Sequence, residues 1–391
     1  LGKICSSGAV ACRISPFRAN RGYVSISRQL WRSSMHNVYR LPDQRAFPMT
    51  HPSTELEVIT TTRQLLERTS GQNGDDRMVH ALPPSLLSFG KAGLLGTSVP
   101  ADLGGADIAN AVIAEMIALA AASDTSLAQR LVGHFLVVEA IRAADGGRQT
   151  SEWLTRALAG DIFLLAADPI AEETVSWPAL VAGKAGFLLP AEALPRQEEA
   201  GPVWLAVPCI DPAGRRLLAL LAPIEDDAAG SGIAVPAGSL VELAEDDIET
   251  TTLTRLASLL QAAVDLGRAR RVFNELALSA EEKAGNPTEY PAEFVRLGEL
   301  AARLDGVSAL IERAGQHVDS VQVDPTPQLA LQASLSCRSA CVMAAEILKD
   351  LDAARLPSQS DTWAVRNELA KRRLGQLHVR GAIPARWPFA Y

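Results

Sequence analysis

The sequence predicts a mainly α protein with a small central β domain, and three observations predict it. Alanine and leucine are abundant while aromatic residues make up only 5% of the 391 residues, which favours helix over most of the length. Between residues 167 and 249 prolines and glycines become frequent and the apolar runs shorten to strand length. From residue 250 onward long runs with apolar residues at helical spacing return. With 48% hydrophobic residues, the chain buries more than one core. The expected division is a basic leader at 1–48, an N-terminal helical domain at 49–166, a β domain at 167–249 and a C-terminal four-helix bundle at 250–391.

The leader carries Lys3, Arg13, Arg18, Arg21, Arg28, Arg32 and Arg40 with no acid before Asp43. Such an Arg- and Ser-rich stretch reads either as an organelle transit peptide or as an extension upstream of the natural start at Met49. The helical domain opens with LEVITTTRQLLERT, continues through LPPSLLSFGKAGLL and reaches the alanine-rich ANAVIAEMIALAAAS. In DTSLAQRLVGHFLVVEAIRAA, Asp124 is placed to cap the helix, because a short side-chain oxygen satisfies amides that the first turn leaves open. SEWLTRALAGD follows, and the helical texture is read as far as Ala166.

The β domain contains ALVAGKAGFLLP, PVWLAVPCID, RRLLALLAPI, GIAVPAG and SLVELA. DPAG between the second and third of these is a turn signal and predicts a hairpin. In the bundle, TLTRLASLLQAAVDLGRARRVFNELALSAEEKA is broken by GNP at 285–287, and two further helical runs follow.

Charge and motifs exclude several functions. The net charge is −8 although the leader is basic, so the body offers no surface for nucleic acid or an anionic membrane. No uninterrupted apolar run is long enough to cross a membrane. The cysteines are Cys5, Cys12, Cys209, Cys337 and Cys341. An odd count predicts no disulfide framework, and Cys337 with Cys341 reads as packed thiols one helical turn apart, not as a metal site. A reducing, cytoplasmic setting is expected, with no metal. Dinucleotide, phosphate-loop, nucleophile-elbow and HExxH motifs are all missing.

Helical domain, β domain, bundle is also the order of the acyl-CoA dehydrogenase superfamily. GLLGTSVPADLGGAD at 93–107 resembles that family's G-L-x-G-x-x-x-P-x-x-x-G-G loop, with Gly93, Gly96, Pro100, Gly104 and Gly105 at its positions. HFLVVEAIRAADGGRQTSEWLTRALAGDIF, LLQAAVDLGRARRV and PAEFVRLGELAARLDGVSALIERAGQHVD are most similar to the monooxygenase-like branch, which includes dibenzothiophene monooxygenase. DTWAVRNELAKRRLGQLHVRGAIPAR resembles a shortened form of that branch's C-terminal motif.

The resemblance implies a flavin, FAD or FMN, between the β domain and the bundle. It implies either CH–CH dehydrogenation or monooxygenation of a small organic substrate, in a homo-oligomer of two or four chains. It places Thr174, Ser176, Lys184 and Arg366 at the cofactor, and Gly104, Gly105 and Phe135 at the substrate pocket. His134 and His378 are its catalytic candidates. With an ordinary pKa of about 6.5, a histidine suits proton transfer in either direction. A core histidine bonded to backbone is the other reading of His134.

The family's G-x-R-x-T-x-S-G segment has no counterpart before IAVPAGSLVELAEDDIE, and TTLTRLASLL holds no acid where dehydrogenases carry an early base. A degenerate, flavin-free paralogue that binds a partner is therefore the alternative.

Overall fold

The computed structural model describes residues 51–70, 84–144, 147–166, 177–183, 186–190, 203–222, 233–243, 252–283 and 291–354. All of them lie in residues 47–391, one of the two units into which the chain divides. The helices are α1 (Glu55–Ser70), α2 (Pro84–Lys91), α3 (Asn110–Ser123), α4 (Thr125–Ala143) and α5 (Arg148–Leu158), followed after the sheets by α6 (Thr252–Lys283), α7 (Pro291–Val323) and α8 (Pro327–Ala354). The strands are β1 (Ile162–Leu165), β2 (Val181–Gly183), β3 (Gly186–Leu189), β4 (Val203–Ile210), β5 (Arg216–Leu221), β6 (Ile233–Val235) and β7 (Leu240–Glu242). This is the mainly α architecture with a small β domain that the sequence predicts.

Asp124 caps α4 as expected, accepting hydrogen bonds from the amides of Ser126 at 2.8 Å and Leu127 at 3.3 Å. The DPAG hairpin forms as well: β4 pairs antiparallel with β5, from Leu205 opposite Leu221 to Ile210 opposite Arg216. Its turn is organised by the buried Asp211, whose carboxylate accepts from the amides of Ala213 and Arg215, each at 2.8 Å.

One element differs from the expectation. Ile162–Leu165, read as the end of the helical zone, is strand β1 and pairs parallel with β4, Ile162 opposite Val203. A short apolar run has no periodicity to distinguish the two states. Here the break at Gly160 and a strand partner some forty residues onward, at Val203, decide it.

Seven strands form two sheets among the described residues, one ordered β1-β4-β5-β7 and the other β2-β3-β6. The larger sheet is covered on both faces. Trp204 and Ala206 of β4 with Leu218 and Leu220 of β5 pack with Val138, Trp153 and Phe163. Leu205, Val207, Leu217 and Leu221, one residue out of phase, pack with Leu180, Leu189 and Val235. Burial of both faces explains why these strands read as continuous apolar runs.

The largest core joins the N-terminal helices to the bundle, including Val58, Phe89, Ile113, Leu260, Leu304 and Cys337. Helix α6 is buried almost all round, and α3 packs along both α6 and α7. Among the described residues, α3 is thus the fourth helix beside α6, α7 and α8. Within that packing, Arg270 of α6 donates to both carboxylate oxygens of Glu115 on α3, at 3.0 and 2.8 Å, and to Ser308 of α7 at 3.1 Å. A buried charge so paired avoids the cost of desolvation without a partner.

Candidate functional site

The glycine-rich loop folds on itself before α3. It contains two 3-10 turns, Leu94–Gly96 and Ala101–Leu103, and the segment after the second is tied to the segment between them by backbone bonds from the Asp107 amide to Val99 at 3.1 Å and from the Ile108 amide to Thr97 at 2.9 Å. Gly104 ends the second turn at φ 88°, in open space. A Cβ on Gly105 would lie 1.9 Å from the Val99 carbonyl oxygen, so only glycine fits that crossing.

His134 sits beside this loop and is fully buried. The amide of Phe163 on β1 donates to its Nδ1 at 3.1 Å, which fixes the proton on Nε2, and Nε2–H donates to the Leu95 carbonyl at 2.9 Å. Its ring stacks on Phe163, with centroids 5.6 Å apart and planes at 24°. Burial lowers its pKa to about 4, against the opposing effect of the Leu95 bond. Both nitrogens are thus occupied by backbone groups and the imidazole is neutral. In this geometry His134 has the bonding of a core histidine that ties loop, α4 and β1 together.

The next residue faces a different space. Phe135 lines a recess of about 420 Å³, together with Ser98, Asp107 and Ile108 from the loop, Asn110 and Ile113 from α3, Glu139 and Arg142 from α4, Leu256 from α6, and Asp319 and Gln322 from α7. Gly104 and Gly105 do not line it. The loop contributes through the residues on either side of them.

Four carboxylates, Glu55, Asp107, Glu139 and Asp319, and one guanidinium, Arg142, reach the recess. Glu139 engages Arg142 through two hydrogen bonds, at 2.8 and 3.1 Å. Asp319 Oδ1 accepts from the amide of Asn110 at 3.0 Å and from its Nδ2 at 2.6 Å. Burial raises the Asp319 pKa, the bonds from Asn110 and the charge of Arg142 oppose the rise, and Asp107 adds to it. Asp107 takes up φ 47°, a left-handed conformation that aspartate tolerates better than most residues.

This donor set does not fit a flavin's phosphate, because carboxylates outnumber the one cation and that cation is already engaged by Glu139. Thr174, Ser176, Lys184, Arg366 and His378, the other expected cofactor and catalytic residues, lie outside the described residues. Among the described residues, no cluster of His, Cys, Asp and Glu is placed to hold a metal ion, and no helix is long and apolar enough to cross a membrane. Cys337 is a buried thiol pushed up to about 12 by its burial. Asp319 and Asn110 escaped sequence reasoning, because their partnership spans 209 positions and leaves no local pattern.

No protein-family model matches the sequence, and no curated protein matches it. Solved structures do. Dibenzothiophene monooxygenase (TdsC) from Paenibacillus sp. A11-2 aligns with a TM-score of 0.60 at 18% identity, over 83% of this chain and 92% of that one. Methanesulfinate monooxygenase MsuC from Pseudomonas fluorescens gives 0.60 at 16% identity, over 83% and 91%. KijD3, crystallised with FMN and dTDP-3-amino-2,3,6-trideoxy-4-keto-3-methyl-D-glucose, gives 0.62 at 16% identity, over 88% and 92%. The chain therefore has the acyl-CoA dehydrogenase fold, and at these identities the likeness establishes the fold alone.

Proposed function

We propose that the protein is a flavin-dependent oxidoreductase that oxygenates a small organic substrate held in the recess beside Phe135. The observation that carries this reading is the recess itself, enclosed by the glycine-rich loop, α4 and the first turns of α6 in a fold whose solved examples include FMN-bound TdsC. Dehydrogenation of a C–H bond beside a carbonyl needs a base within hydrogen-bond reach. In the superfamily's dehydrogenases that base is expected early in the first bundle helix, and early α6, which lines the recess through Leu256, holds no acid. The recess carboxylates come instead from α1, the loop, α4 and α7, so the proposal is oxygenation without the dehydrogenase base. A bound flavin, FAD or FMN, would supply the electrons and activate dioxygen, with its phosphate held by groups other than the donor set of the recess.

The chain's own residues have simpler tasks. Ile108, Ile113, Phe135 and Leu256 give the substrate an apolar surface that displaces water. Asp319 and Asn110 orient it through hydrogen bonds, and His134 holds the loop that forms one wall. Titrating the purified protein with FMN and FAD, followed by visible absorbance and flavin fluorescence, tests the reading. Stoichiometric binding of either flavin is expected, and a colourless protein that binds neither refutes it.

The proposal includes a homo-oligomer in the cytoplasm. It is supported by Leu331, Leu335 and Val342, which lie along one side of α8 and are 62%, 60% and 56% exposed, and by the free cysteines Cys209, Cys337 and Cys341. A row of exposed apolar side chains along one helix is the kind of surface that a second copy of the chain can cover. Sedimentation as a monomer at micromolar concentration would contradict the assembly, and recovery in an organelle fraction would contradict the location.

One observation favours a second reading, that of a flavin-free scaffold: His134 has both nitrogens committed to the protein's own backbone. Stoichiometric flavin in the same titration rules that scaffold out.

A further inference from the structure

The polar groups of the recess are unevenly matched. Asn110 is 5% exposed, and its Nδ2 is satisfied by Asp319 Oδ1 at 2.6 Å and Gln322 at 2.9 Å. Its Oδ1 accepts no hydrogen bond among the described residues. Asp319 is in the same position: Oδ1 takes both bonds from Asn110, and Oδ2 takes none. Among the described residues, Ser98 Oγ is the buried group of the recess left without a partner, while Asn110 Oδ1 and the second oxygen of the half-buried Asp319 stay accessible and offer acceptors to a donor that enters.

Charge sets the kind of donor. Arg142 is held by Glu139, while Glu55, Asp107 and Asp319 reach the recess without an ion-pair partner among the described residues. Burial disfavours the charge on Asp319 and Asp107 adds to that, against the bonds from Asn110 and the charge of Arg142. A bare cation would meet this charge, yet about 420 Å³ with Ile113, Phe135 and Leu256 in its lining is room for an organic body. An anion is repelled, and a neutral polar molecule leaves the excess charge unopposed. An alkylammonium group brings a positive charge and three donors together.

We infer that the recess takes a small organic molecule bearing a protonated amine, which donates to Asp319 Oδ2 and Asn110 Oδ1 while its apolar body lies against Phe135. The inference deepens the proposed function, since it rests on the recess being the substrate chamber.

The test is calorimetric titration of the full chain at neutral pH with benzylamine and cyclohexylamine, against benzyl alcohol and cyclohexanol as neutral counterparts. Each amine is expected to bind about tenfold tighter than its alcohol, a difference of about 1.4 kcal/mol. Asp319→Asn keeps an acceptor for Asn110 and is expected to remove most of that preference. Asp107→Asn, at a backbone conformation that asparagine also tolerates, reduces it several-fold with the fold intact.

Equal affinities within each pair, no binding by either amine, or a preference unchanged in both variants overturns the inference. The titrations need no turnover and are repeated with FMN present. Amine selectivity in a protein that binds no flavin defeats the flavin reading alone, and flavin binding without amine selectivity defeats this one alone.

Discussion

Replacing His134 with glutamine removes a titrating group and leaves a neutral one, and the structure sets the consequence. An imidazole whose ordinary pKa is 6.5 is held at about 4, chiefly by burial. The unfolded chain therefore takes up a proton near pH 6.5, and the folded chain only near pH 4. Between those values the unfolded state binds more protons, so His134's contribution is complete above pH 6.5 and is lost as the pH falls toward 4. At about 1.36 kcal/mol per pH unit, the interval amounts to ~3 kcal/mol, an order-of-magnitude figure.

At pH 7.5 the wild type should exceed His134→Gln by about 2–4 kcal/mol, the worth of two buried hydrogen bonds and the groups left open by their loss. Urea unfolding at a series of pH values reads the gap between the two proteins, which cancels the titration of every other group. The gap should be about 2 kcal/mol narrower at pH 5 than at pH 7.5. Long-range ¹H–¹⁵N spectra should show the Nε2–H tautomer and a ring that does not titrate between pH 8 and 5. Stability curves that run parallel over that range, or a ring titrating near pH 6.5, would show that His134 is not the neutral tie described.

Two further outcomes follow from the loop and from α7. Gly105→Ala should cost about 2–4 kcal/mol, because its methyl group would sit 1.9 Å from the Val99 carbonyl. Gly104→Ala, strained at φ 88° but in open space, should cost only about 1 kcal/mol, and thermal melts giving the reverse order would refute the assignment. Asp319→Ala should destabilise by about 2–3 kcal/mol, read by urea unfolding, because α3 has Ala109 at its N-cap with no side-chain cap of its own and takes Asp319 in its place. A loss below about 0.5 kcal/mol would mean that the cap contributes nothing.

What the sequence shows locally, the structure keeps. Asp124 caps α4 through amides two and three residues away, and Asp211 organises its hairpin through Ala213 and Arg215, so both signals fit inside a few positions. The broad alternation of texture needs only composition and period. IFLL at 162–165 shows the limit: its strand character depends on Val203–Ala206, which no local window contains. His134 marks the same limit in the site, since either role places a histidine on an apolar helix. Only the positions of Leu95, 39 residues back, and Phe163, 29 residues on, separate them. Asp319 reads as one acid in GQHVDSV until its partner 209 positions away is brought beside it.

The two ties on either side of the recess have a kinetic consequence. His134 fastens the loop to β1, and Asp319 fastens the start of α3 to α7, so the walls contributed by these elements are shaped before anything enters. Little ordering is left for a ligand to impose. Stopped-flow traces for an entering amine should accordingly be single exponentials whose rate climbs in proportion to ligand concentration, with no plateau from a slow closing step.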